Sequence, residues 1–260
     1  MEVVVLPTYA EMSRAAAAVV AEVLNEKPNA VLGMATGSTP LGLYQELVRK
    51  HREEGLDFAQ VSSFNLDEYV GLQPTHPQSY HHFMHENFFK HVNMAPGNIY
   101  IPSGTTSNYQ AFCQWYERRI EECGGIDVQI LGIGSDGHIA FNEPGSSLSS
   151  RTRLKTLAKP TIDDNARFFE RPADVPIYAI TMGVGTILEA RTLVLLANGK
   201  NKSSAVAAMV EGPVTSMVTA SALQMHPSAR VFLDEPAAAE LKMRDYYDWV
   251  MKKKPGAPKT

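Results

Sequence analysis

Asp136, His138 and Glu143 fall within one glycine-bounded loop, Gly132-Ile133-Gly134-Ser135-Asp136-Gly137-His138-Ile139-Ala140-Phe141-Asn142-Glu143-Pro144-Gly145, directly after the apolar run Ile126-Asp127-Val128-Gln129-Ile130-Leu131. An imidazole flanked by carboxylates is suited to moving protons near neutral pH, because the acids orient the ring and adjust its basicity. A metal site on the same three residues is the weaker reading, since no second histidine stands at ligand spacing, so no metal is expected. A core histidine with hydrogen-bonded neighbours is the bland alternative, and the two nearby acids count against it. Gly132, Gly134 and Gly137 also spell GxGxxG. Pro144-Gly145 cuts the required helix short, however, and the next strand-like stretch, Thr152–Leu157, carries Arg153 and Lys155 rather than a ribose-binding acid, so a dinucleotide site is rejected.

Three further pieces carry chemistry. The apolar run Ala30–Ala35 leads into Thr36-Gly37-Ser38-Thr39-Pro40 and a helix pattern. Thr39 is expected to cap that helix and Pro40 to open it, while Gly37 lets the backbone approach a ligand. Free amides at a helix start attract anions, so a phosphate cradle is the functional reading and an ordinary strand–turn–helix connection the alternative. No Walker lysine follows, which counts against a nucleoside triphosphate. The run Val61–Leu66 ends in Asp67-Glu68-Tyr69, which puts a carboxylate at a strand end, where tuned burial makes a general base; a helix cap or solvated turn is the competing reading. Arg167 and Lys202 are candidate oxyanion clamps, although both residue types are usually surface charges. His76, His81, His82, His85 and His91 surround a predicted helix, where packing or surface roles are expected.

These residues need a scaffold. Short β-branched runs (Val3–Leu6, Ala30–Ala35, Val61–Leu66, Asn98–Ile101, Asp127–Gly132, Ile177–Thr181 and Thr192–Ala197) alternate with amphipathic segments. Thr8 and Glu11 form a capping-box pattern ahead of a helix bearing Met12, Ala16, Val19, Val20 and Val23 on one face. Further helices are predicted over Ser79–His91, Tyr109–Glu122, Lys202–Val210 and Ala237–Val250, and Leu41, Tyr44, Leu47 and Val48 form the stripe of another. The alternation predicts an α/β fold: an open, largely parallel sheet flanked by helices, Rossmann-like but without a dinucleotide site. The candidate residues then follow different strands, and ligands bind beyond the carboxyl ends of such strands.

With 260 residues the chain fits one domain able to bury roughly 70–75% of its unfolded surface. A formal net charge of −4 gives no argument for nucleic acid or an anionic membrane as partner. Cys113 and Cys123 are the sole cysteines, there is no signal-peptide pattern, and no apolar run reaches membrane-spanning length, so a reduced cytoplasmic protein is expected. Residues 1–250 are read as the domain and 251–260, rich in lysine and proline, as a flexible tail.

The segments Ala35–Pro40, Phe64–Tyr69, His76–Tyr80 and Gly134–Pro144, supported by Ser150–Arg153, Asn165–Phe169, Thr181–Thr186 and His226-Pro227, are collinear with glucosamine-6-phosphate deaminases, which the chain resembles from its first strand to about Met243. The related 6-phosphogluconolactonases resemble it at the Asp-Gly-His core, but Asn142-Glu143-Pro144 and Asp67-Glu68-Tyr69 favour the deaminase. The resemblance implies conversion of glucosamine 6-phosphate and water to fructose 6-phosphate and ammonia without a cofactor. It implies His138, with Asp136 and Glu143, as the relay that opens the sugar ring, and Asp67 as the base at C2. The Thr36–Thr39 turn, Arg167 and Lys202 would hold the phosphate, and residues 157–175 would form a lid. Some relatives are hexamers activated by N-acetylglucosamine 6-phosphate. Ser147, Arg153 and Lys155 match their effector positions, but the tyrosine those relatives use near the end aligns with Asp248, one place from Tyr247. A homo-oligomer is therefore expected and regulation is open. A lactonase, an aldose–ketose isomerase and a non-catalytic sugar-phosphate sensor are the alternatives; the last usually carries a DNA-binding helix-turn-helix, for which no segment is evident.

Overall fold

Val31–Met34 and Val128–Leu131 are buried at every position. Strands covered by helices on both faces read this way, as continuous apolar runs rather than alternating ones. The computed structural model describes residues 1–254. The strands are β1 (Glu2–Leu6), β2 (Val31–Met34), β3 (Ser62–Asn65), β4 (Asp67–Tyr69), β5 (Ile99–Tyr100), β6 (Val128–Leu131), β7 (Arg153–Thr156), β8 (Tyr178–Thr181), β9 (Thr192–Ala197) and β10 (Ala229–Asp234). The helices are α1 (Tyr9–Glu26), α2 (Leu41–Glu54), α3 (Tyr80–Asn87), α4 (Tyr109–Glu122), α5 (Lys159–Asn165), α6 (Val184–Leu188), α7 (Ser203–Glu211) and α8 (Arg244–Lys253).

Seven strands form one sheet in the order β1-β10-β9-β6-β2-β3-β5. Every pairing in it is parallel, as the alternation of elements predicts. Chain order reverses between β2, whose next strand lies to one side, and β6, whose next central strand lies to the other. The loops after β2 and β6 therefore diverge and leave a crevice at the carboxyl edge of the sheet. A second, antiparallel sheet, β4-β8-β7, stands at that edge.

α1 starts where Thr8 accepts from the Glu11 amide at 3.2 Å, a cap worth about 1 kcal/mol. The Glu11 carboxylate meets the Thr8 hydroxyl at 2.8 Å, so the reciprocal half of the expected capping box goes to a side chain instead of the backbone.

Other expectations need correction. Ile177–Thr181 supplies β8 of the small sheet and not a strand of the central one. Asp67–Tyr69, expected as a strand terminus, is itself a strand because it pairs with β8. β10, between β1 and β9 in the sheet, was not anticipated, and neither were α5 and α6. The predicted helix over Ser79–His91 breaks at Phe88, whose ring is drawn into the core against Tyr44 and Phe58, 5.2 and 5.5 Å between centroids. The predicted helix from Ala237 begins only at Arg244, since Glu211 takes the Lys242 and Met243 amides, each at 2.9 Å. α8 then runs through Met251–Lys253, the start of the expected tail, and Lys254 pairs with Glu2 at 2.7 Å. Residues 255–260 of that tail lie outside the described residues.

Candidate active site

The turn after β2 is held from beneath by two tyrosines. The buried Tyr44 hydroxyl donates to the Ala35 carbonyl at 2.6 Å and accepts from the Ala35 amide at 3.1 Å. Tyr9 of α1 accepts from the Gly42 amide at 2.7 Å and faces the Ser38 and Thr39 carbonyls. Thr39 is not the helix cap: its hydroxyl donates to Asn198 at 2.8 Å, Pro40 holds the cap position, and no side chain caps α2 there. With the carbonyls engaged, the amides of Thr36, Gly37, Ser38 and Thr39 have no hydrogen-bond acceptor among the described residues. Gly37 adopts φ 98°, which a side chain would oppose. The result is a row of free N–H groups beside a helix start, the arrangement that binds oxyanions.

Asp67 emerges from β4 opposite Thr181 of β8 and is 6% exposed. Its carboxylate accepts no hydrogen bond from the described residues, so burial, with the neighbouring Glu68 charge second, pushes it up to about 8. A carboxylate this reluctant to ionise is a base matched to weakly acidic protons. Tyr80 of α3 feels Asp67 and Tyr69 and lies beside Thr36, so it joins the β2 turn to β4.

The loop after β6 carries the third cluster. His138 Nδ1 lies 2.7 Å from Asp136 Oδ1 and 3.8 Å from Glu143 Oε2. The shorter approach is close but not aligned as a directed hydrogen bond. It nonetheless holds the Asp136 carboxyl below the ordinary range. Glu143 is anchored by the Ala158 amide at 3.0 Å, and its buried Oε2, beside the imidazole, has no hydrogen-bond partner among the described residues. Gly134 makes this packing possible, because a Cβ there would sit 2.5 Å from His138 Cε1 and 2.8 Å from Asp136 Oδ1. Gly134→Ala is therefore expected to displace the imidazole and cost about 10–100-fold in kcat with an unchanged circular dichroism spectrum. Steady-state kinetics on the variant checks this.

Residues remote in sequence pin the same loop, and sequence reasoning missed them. Ala140 is forced to φ 50°. The turn is held by Asn142 Nδ2 donating to the Ile139 and Met182 carbonyls at 3.0 and 2.9 Å, and by Thr181 and Thr219 accepting the Phe141 and Ile139 amides. A buried asparagine between His138 and Glu143 was the available signal; the threonines had none. Thr181 both pairs with Asp67 across the small sheet and accepts from the Phe141 amide, which links β4 to the loop carrying His138.

Lys202, at the start of α7, lies in the field of Asp164, Arg167 and Asp136, and burial lowers its affinity for a proton. Arg167, carried on residues 157–175, is thus close enough for its charge to act on Lys202. That segment also sends Leu157, Ile162 and Phe169 into a small apolar cluster with Tyr69, Tyr80 and Phe141. Ser147, Arg153 and Lys155 are not gathered in the same way. Ser147 pairs with Ser149 at 3.0 Å, and Arg153 donates to Asn142 at 2.9 Å. Arg153 and Lys155 share one face of β7, and Arg153 also lines a groove of about 880 Å³ between α4 and β7, away from the catalytic cluster.

Asp136, His138 and Glu143 are also a set whose donor atoms, all within 4.8 Å of one another, can converge on a cation. The 2.7 Å Nδ1–Oδ1 separation is shorter than the roughly 3.3 Å between two ligands on a tetrahedral ion.

A parallel α/β sheet with a row of free amides, a buried carboxylate and an imidazole between carboxylates at its carboxyl edge is the architecture of an acid–base enzyme. The chain belongs to the glucosamine-6-phosphate isomerase/6-phosphogluconolactonase family, whose model matches residues 7–235. It is 52% identical to a glucosamine-6-phosphate deaminase from an Arthrobacter species, over 98% of each chain. It is 48% identical to the deaminase of Thermoanaerobacter pseudethanolicus, over 94% of this chain and 97% of that one. Among solved structures, a monomeric glucosamine-6-phosphate deaminase superposes with a TM-score of 0.90 at 44% identity, covering 92% of this chain and 99% of that chain. The 6-phosphogluconolactonase of Trypanosoma brucei, with a TM-score of 0.71 at 19% identity and coverage of 92% and 98%, shares the fold.

Proposed function

We propose that the protein converts glucosamine 6-phosphate and water to fructose 6-phosphate and ammonia in amino-sugar breakdown. The observation that carries this reading is Asp67, a buried carboxylate pushed up to about 8 between a free-amide cradle and a separate proton relay. The near-full-length deaminase relatives support it. The phosphate sits on the Thr36–Thr39 amides with Arg167 and Lys202, and this fixes the sugar's other end near Asp67. His138 takes the proton of the anomeric hydroxyl and delivers one to the ring oxygen, while Asp136 and Glu143 hold its ring and balance its charge. The open chain carries an aldehyde at C1, which acidifies the C2 proton. Asp67 removes that proton and returns it to C1, leaving an imine at C2. Water adds to C2, and ammonia leaves. Residues 157–175 act as a lid that closes when Arg167 meets the phosphate and keeps bulk water from the imine.

All these steps are proton transfers or additions at carbon that the named side chains can serve. The reaction is placed in the cytoplasm, a setting that the unpaired Cys113 and Cys123 support. None of the described helices is long and apolar enough to cross a membrane. Activation by N-acetylglucosamine 6-phosphate through Ser147, Arg153 and Lys155, within an oligomer, is the second reading. The shared face of Arg153 and Lys155 supports it, and the Arg153–Asn142 bond offers a route from that face to the catalytic loop.

The test is ammonia release from glucosamine 6-phosphate by the purified protein, with and without N-acetylglucosamine 6-phosphate. Release in both tubes establishes an unregulated deaminase, release with the effector alone establishes regulation, and no release in either overturns the deaminase reading in favour of a lactonase or sensor. EDTA is expected to leave release unchanged, and loss of activity restored by a divalent cation would assign the Asp136, His138 and Glu143 cluster to a metal.

A further inference from the structure

Glu68 stands beside the base and has no part in the reaction as drawn above. Its side chain is 1% exposed and engaged on every side. Oε1 accepts from the Tyr69 amide at 2.8 Å and the Tyr80 amide at 3.0 Å. Oε2 accepts from the His81 amide at 3.1 Å and lies 2.9 Å from His81 Nδ1. Ser79 takes the next amide, that of His82, at 3.1 Å. The first turn of α3 is therefore docked onto β4 by this one carboxylate, with the positive end of the helix pointing at it.

Such an anchor does more than a Ser79-type cap, since its two oxygens meet four nitrogens, which the single acceptor oxygen of a hydroxyl or an amide could not. Its position gives the same charge a second reach. Asp67 and Glu68 are consecutive on β4 and leave the strand on opposite faces, opposite Thr181 and Ile180 respectively. The groups that face Asp67 are Tyr69 of β4, Tyr80 of α3, Tyr116 of α4 and Thr181 of β8. All four are uncharged hydroxyl side chains. Glu68 is the charged neighbour among the described residues, and His81, partly open to solvent, is the titratable group behind it.

We propose that Glu68 is a positioning residue for the isomerisation step: clamped by α3 and His81, it fixes β4 and sets the field in which Asp67 takes the C2 proton and returns it to C1. The inference rests on the deaminase reading for its chemistry, but its electrostatic core does not. A negative neighbour makes Asp67 a stronger base once ionised and delays its ionisation, so the two effects oppose each other at low pH and separate at high pH.

The test is the pH profile of kcat/KM for Glu68→Gln against the unaltered protein, with a parallel titration of the Asp67 carboxyl carbon by NMR in free protein carrying ¹³C-labelled aspartate. The Asp67 resonance is assigned by its loss in Asp67→Asn. Glu68→Gln is expected to move the acid limb, and the NMR midpoint, down by about half to one pH unit. The ratio of variant to unaltered kcat/KM is expected to fall by about fivefold or more between pH 6 and pH 9. Glu68→Asp keeps the charge and is expected to keep the midpoint, even if the shorter side chain lowers Tm. His81→Lys, at a position 30% exposed, gives Glu68 a permanent countercharge and is expected to move the midpoint down as well; it carries the test if Glu68→Gln does not fold. A uniform loss of kcat/KM at every pH with an unmoved NMR midpoint would reduce Glu68 to a helix anchor and overturn the proposal. If the unaltered protein releases no ammonia, the deaminase reading fails by itself, and the NMR midpoints still decide whether Glu68 acts on Asp67.

Discussion

Asp67→Asn should release ammonia from glucosamine 6-phosphate about 10⁴-fold more slowly than the unaltered protein, with substrate still bound. The amide is close in shape to the carboxyl it replaces and lacks the lone-pair basicity needed to take the C2 proton. The phosphate cradle, built from the Thr36–Thr39 amides and the Tyr9 and Tyr44 supports, does not touch it. Isothermal titration with substrate and a coupled ammonia assay separate the two effects, and full turnover in the variant would remove Asp67 from the mechanism. The same substitution carries a stability signature. Asp67 sits at 3.8 when exposed and is pushed up to about 8 by burial, so between those values the folded protein binds a proton that the unfolded chain does not. Stability from this group is thus full below about pH 4 and is lost as pH climbs through about 8. An asparagine has no such term. Asp67→Asn is expected to match the unaltered protein in Tm near pH 4 and exceed it near pH 8, a cost in stability that the active site accepts for a tuned base.

His138→Gln is the second large effect. Ring opening needs one group to take a proton from the anomeric oxygen and give one to the ring oxygen, and His138, 2.7 Å from Asp136 and 3.8 Å from Glu143, is built for the exchange. Glutamine can occupy the space and donate a hydrogen bond but cannot carry a proton. A fall of about 10²–10³-fold in kcat/KM on the cyclic sugar is expected. Affinity for an open-chain amino-polyol phosphate, which skips ring opening, should change by no more than about twofold, because cradle and clamps are intact. An unchanged rate on the cyclic sugar would move ring opening to another residue or to solvent, while equal losses with both ligands would mean that His138 holds the loop rather than the proton.

What short windows of the chain determined was the kind of structure and the chemical types in its site. Val31–Met34, Val128–Leu131 and Thr192–Ala197 read as buried strands because apolar runs bounded by turn residues have few other outcomes, and the free-amide turn at Thr36–Thr39 was legible from one glycine between a strand and a helix. That Asp136, His138 and Glu143 lie together was legible because they are a few residues apart. The tertiary structure decided everything that depends on residues far apart in the chain. β10 finds its place because β1 and β9 flank it, and Asp67–Tyr69 became a strand because β8 pairs with it. The Thr39 hydroxyl turned to Asn198 because Tyr9 had already taken an amide of the α2 start. The burial that raises the Asp67 carboxyl comes with β4 packing against α3 and pairing with β8. Glu68 was not singled out and His81 was given a packing or surface role, and only the fold set that carboxylate on the first amides of α3. Propensity and periodicity act over a few residues, whereas desolvation and charge–charge fields are properties of a packed interior that local sequence does not describe.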